Sequence, residues 1–325
     1  MTTDYNFLPN PNLPSRETIV AQVKEVWKQA ALKYTPAGFP LRDGESGTII
    51  AWVKYGFYVT IHEAQTQDFV AKELARDRSS VVQVPRVFDA FGWQHTGYIV
   101  MEYVEGDDWK RRARDVNDVA RAVERLMAIR GPDLTPGHIG AGYLDTLTFF
   151  WIAGPPTHYR SVEDLQTQIN IILAFKNDIR RVDIVSESKD GLFLCPCKIE
   201  PQQFRRRASD GQLFALDFRM ACFLPPSFFA AATLMIMTDF YIRVVSKLTY
   251  NWPTDANAIT AASFHFIHYG PPPVPLGLPK HLKARPKSSP SSGSTRSSSS
   301  LSVQRPPRSF LSTITGTTPS VGADS

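Results

Sequence analysis

The segment VPRVFDAFGWQHTGYIVMEYVEGDDW (84–109) decides how the rest of the chain is read. Pro85 opens an extended stretch, VPRVFDAF, and GYIVMEYV (97–104) is a nearly continuous apolar run of the kind a buried strand carries. Upstream lie two further strand-like runs, TIIAWVKY (48–55) and FYVTI (57–61), parted by Gly56. EAQTQDFVAKELA (63–75) follows with helical character. The order is therefore strand, strand, helix, strand, strand. Nearer the start, Ile19, Val20, Val23, Val26 and Trp27 recur on one helical face, which predicts a helix over 16–33 closed by Pro36 and Pro40.

Downstream of 109 the pattern turns helical. Val116, Val119, Val123, Leu126 and Met127 recur at spacings of three and four. A second helix is expected from Ser161, an N-cap with Asp164 at its third position, through Leu165, Ile169, Ile172 and Leu173. Residues 192–218 read as two short strands joined at Ser209-Asp210-Gly211, an Asp-Gly hairpin signal. A last helical region runs from Pro225-Pro226 to about Leu248. Residues 220–238 hold no charge, but the proline pair divides them, so they read as a buried core helix and not a membrane span.

Charge is unevenly placed. Of 36 basic and 31 acidic residues, seven and one fall in 271–325, leaving 29 and 30 in the first 270. The basicity belongs to the end of the chain, and no basic stripe interleaved with aromatics accompanies it, so nucleic acid is not the expected partner. That stretch, with 14 serines and 10 prolines, has too little apolar surface to order itself and is expected to be a disordered basic tail. Three cysteines suit a reducing compartment, and MTTDYNFLPNPNLP lacks the form of a secretory signal, so a cytoplasmic location is expected. Cys195 and Cys197 have no second ligand pair near them, and the seven histidines are scattered, so no zinc site is read. No Gly-x-Ser-x-Gly element is present. Arg205-Arg206-Arg207 reads as a solvated face.

Taken in order, VKYG (53–56), EAQTQDFV (63–70), VPRVFDAF (84–91), GYIVMEYVEGDDW (97–109) and LCPCKIEPQQF…LFALDF (194–218) resemble the aminoglycoside phosphotransferase and choline kinase-like branch of the protein-kinase-like fold. Fungal phosphotransferase-domain proteins of unassigned substrate are similar in particular. The resemblance covers about 45–245. It implies a bilobal α+β domain, with a small sheet lobe to about residue 104 and a larger, mainly helical lobe after it. The chain then divides into an N-terminal helical extension (1–44), the kinase-like domain (45–270) and the tail (271–325).

The resemblance also implies roles. Lys54 would face nucleotide phosphates and pair with Glu63. MEYV (101–104) matches the hinge against adenine, which makes Glu102 and Tyr103 nucleotide-binding positions. Asp217 matches the magnesium-binding aspartate. Gly44 and Gly47 are the only candidates for a phosphate-covering glycine loop, but a tight turn needs them equally well and is the reading taken. The catalytic loop departs from the family pattern of His-x-Asp, two residues, Pro, one residue, Asn. Pro196 stands for the histidine, Lys198 for the aspartate and Gln203 for the asparagine, while Pro201 remains. An ammonium group cannot accept the proton of a substrate hydroxyl, a role otherwise worth about 10² to 10⁴-fold. The expectation is a catalytically impaired pseudokinase that binds ATP, with magnesium use weak or absent. Two alternatives stand beside it: an active small-molecule kinase with Glu200 as substitute base, and an interaction scaffold that binds no nucleotide. Substrate, partner and oligomeric state are not read from the sequence.

Overall fold

Strand β2 (Ile49–Gly56) organises the first lobe. Its alternate side chains Ala51, Val53 and Tyr55 are buried on one face, and Trp52 and Lys54 point to the other. Helix α1 (Arg16–Gln29) covers the first face with Ile19, Val20 and Val23. Helix α2 (Ile61–Ala75) lies on the opposite side, where Ala64 joins Val59, Val87, Ala90, Ile99 and Met101. Strands β3 (Val87–Trp93) and β4 (Thr96–Met101) form a hairpin, and with β1 (Gly38–Arg42) they complete an antiparallel sheet of order β1-β2-β4-β3. The hairpin turns through Gln94 and His95, both with left-handed φ (45° and 67°), as a tight two-residue connection requires.

These details come from a computed structural model that describes residues 5–29, 38–77, 79–108, 113–140, 159–236, 238–251 and 253–269. The segment 271–325 expected to be a disordered tail lies outside the described residues, as do positions 30–33 of the first expected helix.

Two expectations for this lobe are corrected. FYVTI (57–61) is not a strand: after Gly56 the chain turns at Phe57 and Tyr58, and Thr60 caps α2 by accepting the Glu63 N–H at 3.1 Å. The remaining strand is instead Gly38–Arg42, within the stretch assigned to an N-terminal extension. Pro40 misled the reading, because proline also fits an edge strand, where its missing donor costs no ladder bond. A row of glycines, Gly56, Gly97 and Gly92, crosses three adjacent strands. A Cβ on Gly97 would stand 1.8 Å from the Val59 carbonyl oxygen, so the turn into α2 packs directly on bare backbone.

The second lobe is mainly helical, as expected. Its described helices are α3 (Ala113–Met127), α4 (Val162–Phe175), the short α5 (Ile184–Glu187), α6 (Ser227–Met235), α7 (Asp239–Val245) and α8 (Ala256–Tyr269). Ser161 caps α4 by accepting the Asp164 N–H at 3.3 Å, as its sequence predicts. The helix α8 is an addition to the reading, which stopped at Leu248. Two small antiparallel sheets complete the lobe. One joins β5 (Gly106–Asp108), β7 (Phe204–Arg207) and β8 (Leu213–Ala215), and the other joins β6 (Phe193–Pro196) to β9 (Ala221–Leu224). The uncharged stretch is split by Pro225-Pro226 between β9 and α6; from Met220 to Ala232 it packs mostly into one large core, whereas Leu234 is exposed. No helix among the described residues is long and apolar enough to cross a membrane. The architecture is the α+β arrangement expected from the sequence, a small antiparallel sheet lobe followed by a mainly helical one.

Candidate functional site: the cleft at Lys54

Strand alternation aims Lys54 away from α1 and into the space between sheet and helical lobe. Its ammonium donates to Glu63 Oε1 at 2.5 Å and to Asp217 Oδ1 at 2.5 Å. The first turn of α2 supplies Glu63, and the segment after β8 supplies Asp217. Lys54, Glu63 nine residues on and the distant Asp217 thus meet at one point. Burial alone would lower the pKa of Lys54, but the two carboxylates outweigh it and the ammonium form is favoured. Burial raises that of Glu63 even against Lys54. For Asp217 burial is outweighed by Lys54, and the carboxyl is held below its usual range. Asp217 has a φ of 65°, a left-handed conformation uncommon outside glycine and found where a site over-determines the backbone.

A cavity of about 360 Å³ opens beside this triad, lined by Trp52, Lys54, Met101, Tyr103, Arg205, Leu216 and Asp217 among others. Trp52 occupies the same strand face as Lys54, two residues before it. Its indole leaves no room for a Cβ on Gly38 and lies near-parallel to Tyr103, with ring centroids 6.3 Å apart. Glu102 has its backbone N–H on the Arg86 carbonyl at 2.8 Å, and its carboxylate takes Arg86 Nε at 3.0 Å. Both positions expected to meet a nucleotide line the cavity: Tyr103 stacks with Trp52 there, and the Glu102 carboxylate is engaged by Arg86. The arginine triplet read as a solvated face is divided. Arg205 lines the cavity and donates to the Val104 carbonyl at 3.4 Å. Arg206 pairs with Asp118 at 2.6 Å, and Arg207 with Asp210 at 2.5 Å. The signal for Arg205 was present in the twofold period of a strand, but its pairing partners were not.

The degenerate loop closes on itself. Lys198 and Glu200 form an ion pair at 3.0 Å. The Gln203 side-chain oxygen accepts the Glu200 N–H at 2.9 Å within a one-turn 3₁₀ helix, Pro201–Gln203. Glu200 also accepts a hydrogen bond from the Gln202 amide. Pro196 ends β6 and is buried. Gly44 and Gly47 do lie in a turn, closed by Gly47 N–H to Asp43 O at 3.0 Å. The Cys195 and Cys197 sulfurs are 3.4 Å apart and buried. Among the described residues no group of three or more His, Cys, Asp and Glu side chains could hold a metal ion.

Sequence reasoning missed the elements that tie Asp217 to α2. His138 is buried, with Nε2 donating to the Arg219 carbonyl at 3.2 Å and Nδ1 3.2 Å from the Thr66 hydroxyl on α2. Burial pushes its pKa down to about 4, and His62 and Lys54 add to the effect against the Arg219 carbonyl. The Arg219 guanidinium lies over the Tyr58 ring, 4.4 Å from its centroid. No periodicity marks a lone histidine for such a role.

No protein-family model matches the chain, and no curated protein matches it. Among solved structures, a Haemophilus somnus 129PT protein bearing the name "Putative fructosamine-3-kinase" is 15% identical with a TM-score of 0.38, over 77% of this chain and 87% of that one. The ethanolamine kinase of Plasmodium vivax is 9% identical with a TM-score of 0.36, over 79% of this chain and 84% of that one.

Proposed function

We propose that this chain is a nucleotide-binding pseudokinase, holding the phosphates of ATP without transferring them. One observation carries the reading: the Gln203 oxygen is committed to the Glu200 N–H, while Lys198 and Glu200 neutralise each other. The Glu200 carboxylate is thus paired with an ammonium, which weakens it as a base, and the Gln203 amide oxygen is spent on backbone. Of the two acidic residues lining the cavity beside Lys54, Glu102 is engaged by Arg86, and Asp217 Oδ1 is already bonded to the lysine. A magnesium site built from carboxylate and amide oxygens does not fit these residues. A nucleotide fits better. Lys54 brings a fixed positive charge, Arg205 a second, and Trp52 and Tyr103 supply flat apolar surface. A cytoplasmic setting belongs to the same reading, since all three cysteines are free thiols.

Thermal shift with ATP, in magnesium and in EDTA, tests the proposal. An equal rise in melting temperature under both conditions is expected, with no turnover on aminoglycoside, choline, ethanolamine or sugar panels. A rise that requires magnesium, or turnover lost in Glu200→Gln, would establish an active kinase instead. No rise at millimolar ATP would leave the scaffold reading.

A further inference from the structure

The helical lobe contains a separate cavity of about 410 Å³, lined by residues from α3, β6, β9, α6 and the segment after α7. Leu194, Leu224 and Phe229, all buried, form much of its wall. Protein interiors are close-packed and leave few voids larger than a water molecule. This volume falls instead in the range of small-molecule sites, roughly 300–1,000 Å³.

The polar groups at the cavity are mostly satisfied within the protein. The Tyr250 hydroxyl donates to the Pro226 carbonyl at 2.6 Å. Thr249 donates both its backbone N–H and its hydroxyl to Glu124 Oε1, each at 2.7 Å. Glu124 is the only charged side chain among the described residues lining the cavity. Its second oxygen, Oε2, has no hydrogen bond or ion pair among the described residues. The cavity opens to solvent on this side, at Ala128 and Glu124, so a ligand can reach the carboxylate. An apolar chamber with one carboxylate held by one oxygen and open at the other matches a cation carried on a hydrocarbon body. We propose that this cavity binds a small lipophilic amine, its apolar body against Leu194, Leu224 and Phe229 and its ammonium on Glu124 Oε2. The site is independent of the Lys54 cleft and of what that cleft binds.

Calorimetry on the full chain at neutral pH, with phenethylammonium, phenethyl alcohol and hydrocinnamate, tests the assignment. The amine is expected to bind at least about tenfold more tightly than the alcohol, the gain of a charge-assisted hydrogen bond, with the carboxylate weakest. Glu124→Gln keeps an acceptor for Thr249 and removes the charge, so the amine should fall to the affinity of the alcohol. Ala128→Trp, at the exposed rim, should abolish binding of all three, and circular dichroism establishes that both variants fold. If Ala128→Trp melts early, Glu124→Gln alone decides. Equal binding of amine and alcohol, amine affinity that survives Glu124→Gln, or no binding at millimolar amine would overturn the proposal.

Discussion

Lys54 is held between two carboxylates, one of them almost wholly buried, and this dictates what its removal does. Lys54→Met leaves Glu63 charged and unpaired in a low-dielectric site, which costs about 3–5 kcal/mol. Urea unfolding should show that loss, and adding Glu63→Gln should recover a large part of it, because the stranded charge is then gone. The loop residues make a different prediction. Lys198→Asp with Gln203→Asn restores the aspartate and asparagine of the pattern the loop resembles, leaving Pro196, and removes the side chain whose oxygen is now spent on Glu200. ATP binding, measured by calorimetry, should become magnesium-dependent in this double variant, by about tenfold or more. Unchanged metal dependence would show that the loop's ion pair and amide contact do not set it.

At the scale of elements, α2 is the piece that brings Glu63 to Lys54, and two contacts set its start. Thr60→Ala removes the cap and should cost about 1 kcal/mol. Gly97→Ala should be far worse: its Cβ would meet the Val59 backbone carbonyl oxygen at 1.8 Å, and relief requires β4 to separate from the turn. More than about 4 kcal/mol is expected, among the largest losses a point mutation gives. Gly92→Ala, one strand over with no neighbour within 4 Å, is the matched control and should change the urea midpoint little.

At the scale of the molecule, His138 joins α2 of the first lobe to the Asp217 segment of the second. Its folded-state pKa of about 4 lies below the ordinary value of 6.5, so the unfolded chain binds the extra proton. Stability from this group is complete above about pH 6.5, declines as pH falls toward 4, and levels off below that. The full loss is on the order of 3 kcal/mol. Melting temperature against pH should show a decline in this window that is smaller in His138→Asn. Equal declines in the two proteins would assign the acid sensitivity to carboxylates elsewhere.

What the sequence determined by itself is local and periodic. Apolar, strand-like runs marked β2 and β4, three-and-four spacing marked α3 and α4, and Ser161 and the Asp210-Gly211 turn were legible because capping and turn chemistry act over a few residues. The resemblance to the aminoglycoside phosphotransferase and choline kinase-like branch, and not periodicity, named Lys54, Glu63 and Asp217 as a set, and the fold brings the three together. Long-range packing decided the rest. Whether Pro40 ends a helix or edges a sheet depends on a partner strand, β2, that local sequence does not name. Whether Arg205 faces a cavity while Arg206 and Arg207 face Asp118 and Asp210 depends on which carboxylates the fold carries within reach. The use of Gln203 as a backbone acceptor and of His138 as a bridge between lobes follows from burial, which requires each polar atom to find a partner wherever the chain has brought one. Tertiary structure alone supplies those partners.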